Sequence, residues 1–193
     1  VINSGLQNIT IKNGVVNAVS SDGLFIGQGC QNISIDNVKV KNAIRGICFD
    51  QVTNALVRNC DMTLNATGIE LDECHNILLE NCIAQANTQA GYSILTSTTC
   101  SFFDCKALST GDGNDEVFNN NIYGFVSDNG YGNIFERCIA NSTQALTTTG
   151  FYSIVAGFAL LGTGTQCNKI IDCEAGNATT APEGVAIPYG IFL

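Results

Sequence analysis

Histidine occurs once in these 193 residues, proline twice, and lysine plus arginine only eight times. Each scarcity excludes something. The single histidine, His75, has no serine or cysteine partner in any motif, so a Ser-His or Cys-His catalytic centre has no anchor. A structural or solvent-facing role is expected for it. Eight basic against 17 acidic residues give a net charge of −9 and a pI near 4.3. That balance disfavours polyanionic partners, so neither nucleic acid nor an anionic membrane surface is expected. No apolar run is long enough to span a bilayer. The longest, Phe151 to Leu161, is broken by Ser153 and Gly157 and reads as a loop running into a buried strand. A leader pattern is missing, and the chain opens on Val1. It is therefore expected either to have lost an upstream segment or to belong to a longer protein.

What is present fits one domain over residues 1–193. Apolar residues make up 45% of the chain and charged residues 13%, enough material for a core. Twenty glycines suit short strands joined by turns. Seven of them, Gly23, Gly46, Gly68, Gly91, Gly124, Gly157 and Gly190, each open an alternating apolar unit, at intervals of 23, 22, 23, 33, 33 and 33 residues. A second unit runs in step, an apolar residue, one further residue, then Asn, Asp or Arg, then Cys, as in Leu79–Cys82, Phe102–Cys105, Phe135–Cys138 and Ile170–Cys173. Self-similarity at a fixed period marks stacked units, each too small to bury its own apolar face.

Each unit divides into three short strands with period-two alternation, hence one buried face per strand. The first follows the glycine. The second ends at Asn13, Asn37, Asn59 or Asn81, and the third starts at the next residue. One residue must therefore turn the chain, and Asn tolerates the left-handed backbone such a corner needs. Ten cysteines are present without any CxxC pair, which weakens a zinc reading. Cys60, Cys82, Cys105, Cys138 and Cys173 recur at one place in the repeat. They read as a ladder of reduced, buried thiols, with disulfides or metal as the alternative. Unpaired thiols fit folding in a reducing compartment.

The corner series Asn13, Asn37, Asn59 and Asn81, continued by Asp104, Arg137 and Asp172, resembles the asparagine ladder of right-handed parallel β-helices of the pectin-lyase-like superfamily. The similarity covers residues 6–193. It implies an all-β solenoid of about seven rungs of three strands, with the glycine-led strand as the first sheet. At Arg137 the corner is expected to be built differently. The resemblance implies little about activity, because this fold hosts lyases, hydrolases, epimerases, tailspikes, adhesins and inert scaffolds.

The connection before each glycine-led strand is the variable part of the repeat. It grows from 8 residues (Val38 to Gly46) to 19 (Cys105 to Gly124) and 17 (Cys173 to Gly190). Insertions in solenoids gather on one face, so residues 106–123, 139–156 and 174–189 are expected to form a wall beside the first sheet. The resemblance makes the outer face of that sheet the place where catalysis would sit. Its outward positions are Phe25, Cys48, Glu70, Ser93, Val126, Ala159 and Phe192.

Glu70, Asp72 and Asp50 form a candidate catalytic set there, since crowded carboxylates can supply an acid and a base. Ca²⁺ is the ion such oxygen ligands would take, but no cofactor is expected. Asp112, Asp115 and Glu116 in one insertion, with Asp128, are candidate glycan contacts; solvated turn residues are the alternative. The glycosidase segments Asn-Thr-Asp, Gly-Asp-Asp, Gly-His-Gly and Arg-Ile-Lys of this superfamily are missing. Its calcium-dependent lyases need an Arg or Lys base, and only Arg45 and Lys41 lie nearby. A non-catalytic module for assembly, adhesion or glycan binding is therefore expected, with a polysaccharide lyase or glycoside hydrolase as the alternative. A glycan ligand, a homotrimer or the remainder of a longer chain are the expected partners, on a virion or cell surface.

Overall fold

The computed structural model describes residues 1–2, 4–18, 20–111, 121–145, 154–180 and 187–193. All named strands are β, and every strand pair is parallel. The first sheet stacks seven strands, Leu24–Ile26, Arg45–Asp50, Thr67–Asp72, Ala90–Leu95, Ile122–Asp128, Ile154–Leu161 and Ile187–Phe192. The second and third sheets join through Gln31–Lys41, which runs across both. Thr53–Arg58, His75–Glu80, Ser101–Phe103, Ile134–Glu136 and Lys169–Ile171 continue the second sheet. Asp61–Thr63, Ile83–Gln85, Lys106–Leu108, Ile139–Asn141 and Glu174–Gly176 continue the third. The chain is a solenoid of three-strand rungs, as the repeat predicts.

Corners explain why the rungs stay in register. Asn13, Asn37, Asn59, Asn81, Asp104, Arg137 and Asp172 all have φ between 50° and 56°. The left-handed backbone therefore continues through Arg137, and the expected difference lies in its side-chain contact. There the guanidinium bonds both oxygens of Asp104 one rung below, at 2.9 and 3.0 Å, in place of an amide pair. Elsewhere amides stack, with Asn37 Nδ2 donating to Asn13 Oδ1 at 2.9 Å and Asn81 Nδ2 to Asn59 Oδ1 at 3.0 Å. Three further corners per rung escape the sequence reading. The rung through Glu73, Asn76, Asn81 and Ala86 shows all four, each at positive φ, and the next repeats them at Thr96, Thr99, Asp104 and Ser109.

The repeating glycine has its own cause. A Cβ on Gly68 would lie 2.5 Å from the Gly91 carbonyl oxygen and 2.8 Å from the Ala84 side chain, and one on Gly91 would meet Gly124 and Ala107 at 2.6 Å. Consecutive rungs approach too closely at that point for any other residue.

Inside the coil, each sheet contributes a column. Ile47 and Ile69 lead into Tyr92, Phe125 and Phe158 on the first sheet; Ile35, Val57 and Leu79 lead into Phe102 and Phe135 on the second. All ten are essentially inaccessible. Phe49, Leu71, Ile94 and Ile33 are buried as expected, whereas Ile9 and Ile11 in the first rung are only half-buried. The aromatic rings stack face to face along the axis, Tyr92 on Phe125 at 4.5 Å and Phe125 on Phe158 at 4.8 Å. Across the coil they meet edge to face, the offset geometry their quadrupoles favour.

The thiol ladder is present and reduced. Cys60, Cys82, Cys105 and Cys138 are buried, but Cys173 is half-exposed, contrary to the expectation of burial for all five. Each thiol donates to the carbonyl two residues earlier, for example Cys82 Sγ to Glu80 O at 3.4 Å. Cys30, Cys48, Cys74 and Cys100 are also buried. Burial pushes the Cys74 thiol up to about 11 and that of Cys100 up to about 12.

Polar side chains enter the coil where the third sheet turns toward the first. Asn87 Oδ1 accepts from Asn65 N, and Asn65 Oδ1 accepts from Ala43 N, both at 2.9 Å. The column continues into Thr110 and Thr143, which are fully buried with hydroxyls that find no partner among the described residues.

Candidate functional site

Strand register turns the first sheet's outer face into three rows. Phe25, Cys48, Glu70, Ser93, Val126, Ala159 and Phe192 align as the repeat predicts. Beside them run Arg45, Thr67, Ala90, Tyr123, Ala156 and Tyr189. The third row reads Asp50, Asp72, Leu95, Asp128 and Leu161.

The N-terminal rungs of this face are governed by Arg45. Its Nε and Nη2 donate to the two oxygens of Asp22, each at 2.8 Å, and its Nη1 donates to Glu70 Oε1 at 2.7 Å. Asp22 lies in the previous rung and Glu70 in the next, so one guanidinium staples three rungs. Both carboxylates raise its proton affinity further. Cys48 beside this bridge is fully buried despite pointing outward, and desolvation pushes its thiol up to about 12. Glu70, the first catalytic candidate, is thus already ion-paired.

Asp50 and Asp72 stand side by side one rung apart and make no ion pair among the described residues. Desolvation, then the charges of Glu73 and Asp50, hold the Asp72 carboxyl above its usual range. Glu73 in turn accepts from Gln51 Nε2 at 2.7 Å. Lys41 ends the third-sheet strand Gln31–Lys41, so it does not serve this face as a base. Among the described residues no three His, Cys, Asp or Glu side chains converge as a metal-binding group.

Toward the C-terminal rungs the same face becomes apolar. Tyr123, Val126, Ala156 and Ala159 are buried, with Ile154, Leu161, Tyr189 and Phe192 packed around them. Burial, then the charge of Asp128, pushes the Tyr123 hydroxyl up to about 12. Asp128 shares the row of Asp50 and Asp72 but is separated from Asp72 by Leu95. Its carboxylate accepts from Asn129 Nδ2 at 3.0 Å.

Asp112, Asp115 and Glu116 lie outside the described residues, as do residues 146–153 and 181–186 of the expected wall. Contrary to expectation, Lys106–Leu108, Ile139–Asn141 and Glu174–Gly176 belong to the third sheet rather than to that wall, and beyond them Gln144–Ala145 pairs in parallel with Thr179–Thr180. His75 is exposed, its Nδ1 2.7 Å from Thr98 Oγ1. No helix among the described residues is long and apolar enough to cross a membrane.

Parallel three-strand rungs, asparagine corners and a glycine column define a β-helix. The model of the right handed beta helix region matches residues 2–114, and the chain belongs to that family. No curated protein matches it. Among solved structures it is similar to a double mutant of the periplasmic alginate epimerase AlgG, at 14% identity and a TM-score of 0.57. That match covers 100% of this chain and 43% of the epimerase chain, so the likeness is one of fold.

Proposed function

We propose that this β-helix is a non-catalytic module used for assembly, adhesion or glycan binding. The observation that carries the reading is the state of the first sheet's outer face. Its one guanidinium is saturated by Asp22 and Glu70, and in the remaining rungs Val126 and Ala159 are buried with half-buried Tyr189 and Phe192 packed against them. Proton abstraction from a sugar ring needs a base and a group that stabilises the developing charge. Arg45, whose charge reaches Asp72, is committed to Asp22 and Glu70 and makes no ion pair with Asp50 or Asp72 to fill the second role. Half-buried Tyr189 and Phe192 instead suit contact with another surface, and a homotrimer or further rungs of a longer chain would supply one.

A polysaccharide lyase or glycoside hydrolase is the second reading, favoured by the raised Asp72 carboxyl beside Asp50. A panel of acidic and neutral polysaccharides, assayed for cleavage and for binding, separates the two. The module reading expects no turnover, with any binding unaffected by Asp72→Asn. Turnover abolished by Asp72→Asn would replace it with the enzyme reading. Sedimentation of the same sample tests the trimer.

A further inference from the structure

The outer face of the second sheet takes no part in the reading of the first sheet, and it carries a pattern of its own. Register aligns Lys12, Asp36, Arg58, Glu80, Phe103 and Glu136 in one outward row, one residue per rung. The first four alternate in sign. A parallel row sets Leu56 beside Leu78, both half-buried and outside every core cluster. Within the chain these charges are only partly used. Arg58 Nη2 donates to Asp36 Oδ2 at 3.3 Å, but Arg58 Nε finds no partner among the described residues. Lys12 and Glu80 make no salt bridge among those residues.

An alternating row is its own complement when it is turned end for end about a point between two rungs. A two-fold axis parallel to the strands does this to a second copy laid face to face on the first. Placed between the rungs of Arg58 and Glu80, it sets each Arg58 on the Glu80 of the other copy, each Lys12 on its Glu136, and each Leu56 on its Leu78. Asp36, already bonded by Arg58 and by Asn59 Nδ2 at 3.0 Å, then faces Phe103. Moving the axis half a rung either way is repulsive. On the Arg58 rung it would set Arg58 on itself and Asp36 on Glu80. On the Glu80 rung it would set Glu80 on itself and Asp36 on Glu136. We propose that the outer face of the second sheet binds the same face of a second copy of this chain, in the register that joins Arg58 to Glu80. Six rungs stacked about 4.8 Å apart and five residues of about 3.3 Å give a face of roughly 400 Å² per copy. That size fits a weak, reversible contact.

Sedimentation over a concentration series reaching about 1 mM should show a monomer–dimer equilibrium. Arg58→Glu and Glu80→Arg should each weaken it at least tenfold, because each sets like charges face to face. An equimolar mixture of the two variants should restore it, since every facing pair in the mixed dimer is again opposite in sign. Should either variant unfold, carbodiimide coupling of an equimolar mixture of isotope-labelled and unlabelled chain decides. It must join Lys12 of one copy to Glu136 of the other, a link that five rungs, about 24 Å, prevent within one chain. A monomer at every concentration, association unchanged in the folded variants as for a trimer built on the first sheet, no recovery on mixing them, or no mixed-isotope link would overturn the contact.

Discussion

The two halves of the first sheet solve the same stacking problem with different forces. Before Gly91 the outer face is tied by the Asp22–Arg45–Glu70 bridge and the inner column that later holds the rings is aliphatic, Ile47 over Ile69, with Phe49 beside it. From Tyr92 onward the outer face is apolar and the interior is a pile of rings. The repeat interval lengthens from 23 to 33 residues at the same point. A longer connection adds chain that must be ordered, which costs entropy. Rings that bury more area per residue than Ile or Val offset part of that cost. The change at Tyr92 thus links insertion length to core composition.

The largest expected effect lies in the ring pile. Phe125→Ala removes stacking on Tyr92 and Phe158 together with edge contacts to Phe102 and Phe135, and should destabilise by about 3–5 kcal/mol. In the aliphatic half, Ile47→Val should cost only ~0.5–1.5 kcal/mol. Urea midpoints measure both, and equal losses would break the contrast between the halves.

Next comes the inner polar column, which crosses the boundary. Asn87→Ala leaves the buried Asn65 N–H and the Met62 carbonyl without their partners, at a cost of about 2 kcal/mol. Thr110→Val, in the same column, removes a hydroxyl that has no partner among the described residues, and should stabilise by about 1 kcal/mol. Thermal denaturation of both variants checks the opposite signs. A destabilised Thr110→Val would mean that its hydroxyl is bonded in solution.

The smallest effect sharpens the electrostatics of the charged half. The Asp72 carboxyl is held above its usual range, so the folded state keeps its proton to higher pH than the unfolded state does. Stability from this group is therefore lost as pH rises through the raised value. Asp72→Asn should stabilise at pH 7 by less than about 1 kcal/mol. The gain should fade once pH falls below the unfolded value of about 3.9. Denaturant midpoints of both proteins at the two pH values measure it, and a gain that persists at low pH would assign the effect to packing.

Rung composition was legible because interval and alternation are written directly in the chain. Gly68, Asn59 and Cys82 mark one corner of the coil and its neighbours without any contact information. The other corners were hidden because their occupants vary: Gln51, Glu73, Thr96 and Asn129 share one left-handed position but no side-chain type. Backbone geometry, not chemistry, is what that column repeats. The series Asn8, Asn32, Asn54 and Asn76 did carry a signal, a second asparagine repeat at the same period, with Asn76 Nδ2 donating to Asn54 Oδ1 at 2.6 Å. On the outer face, the repeat puts Asp50 beside Asp72 in register, whereas Glu70 lies in another row and pairs with Arg45. The repeat gave no means of seeing Asp22 reach over to Arg45, because Asp22 precedes the first glycine-led strand. Cys173 was misjudged because its row has no described rung beyond it, whereas its four predecessors are covered on both sides.

The four corners per rung have a mechanical consequence. Among the described residues every hydrogen bond between rungs joins residues one turn apart in the chain, for example Asn81 to Asn59 and Asn133 N to Asn168 Oδ1. No strand waits for a partner from the far end of the sequence. Order can therefore spread as a zipper does, each turn templating the next, and tension along the axis would peel turns from an end one at a time. In such a coil the interior turns exchange their amide hydrogens last, and the aromatic turns from Tyr92 to Phe158 become the clamp at which peeling pauses.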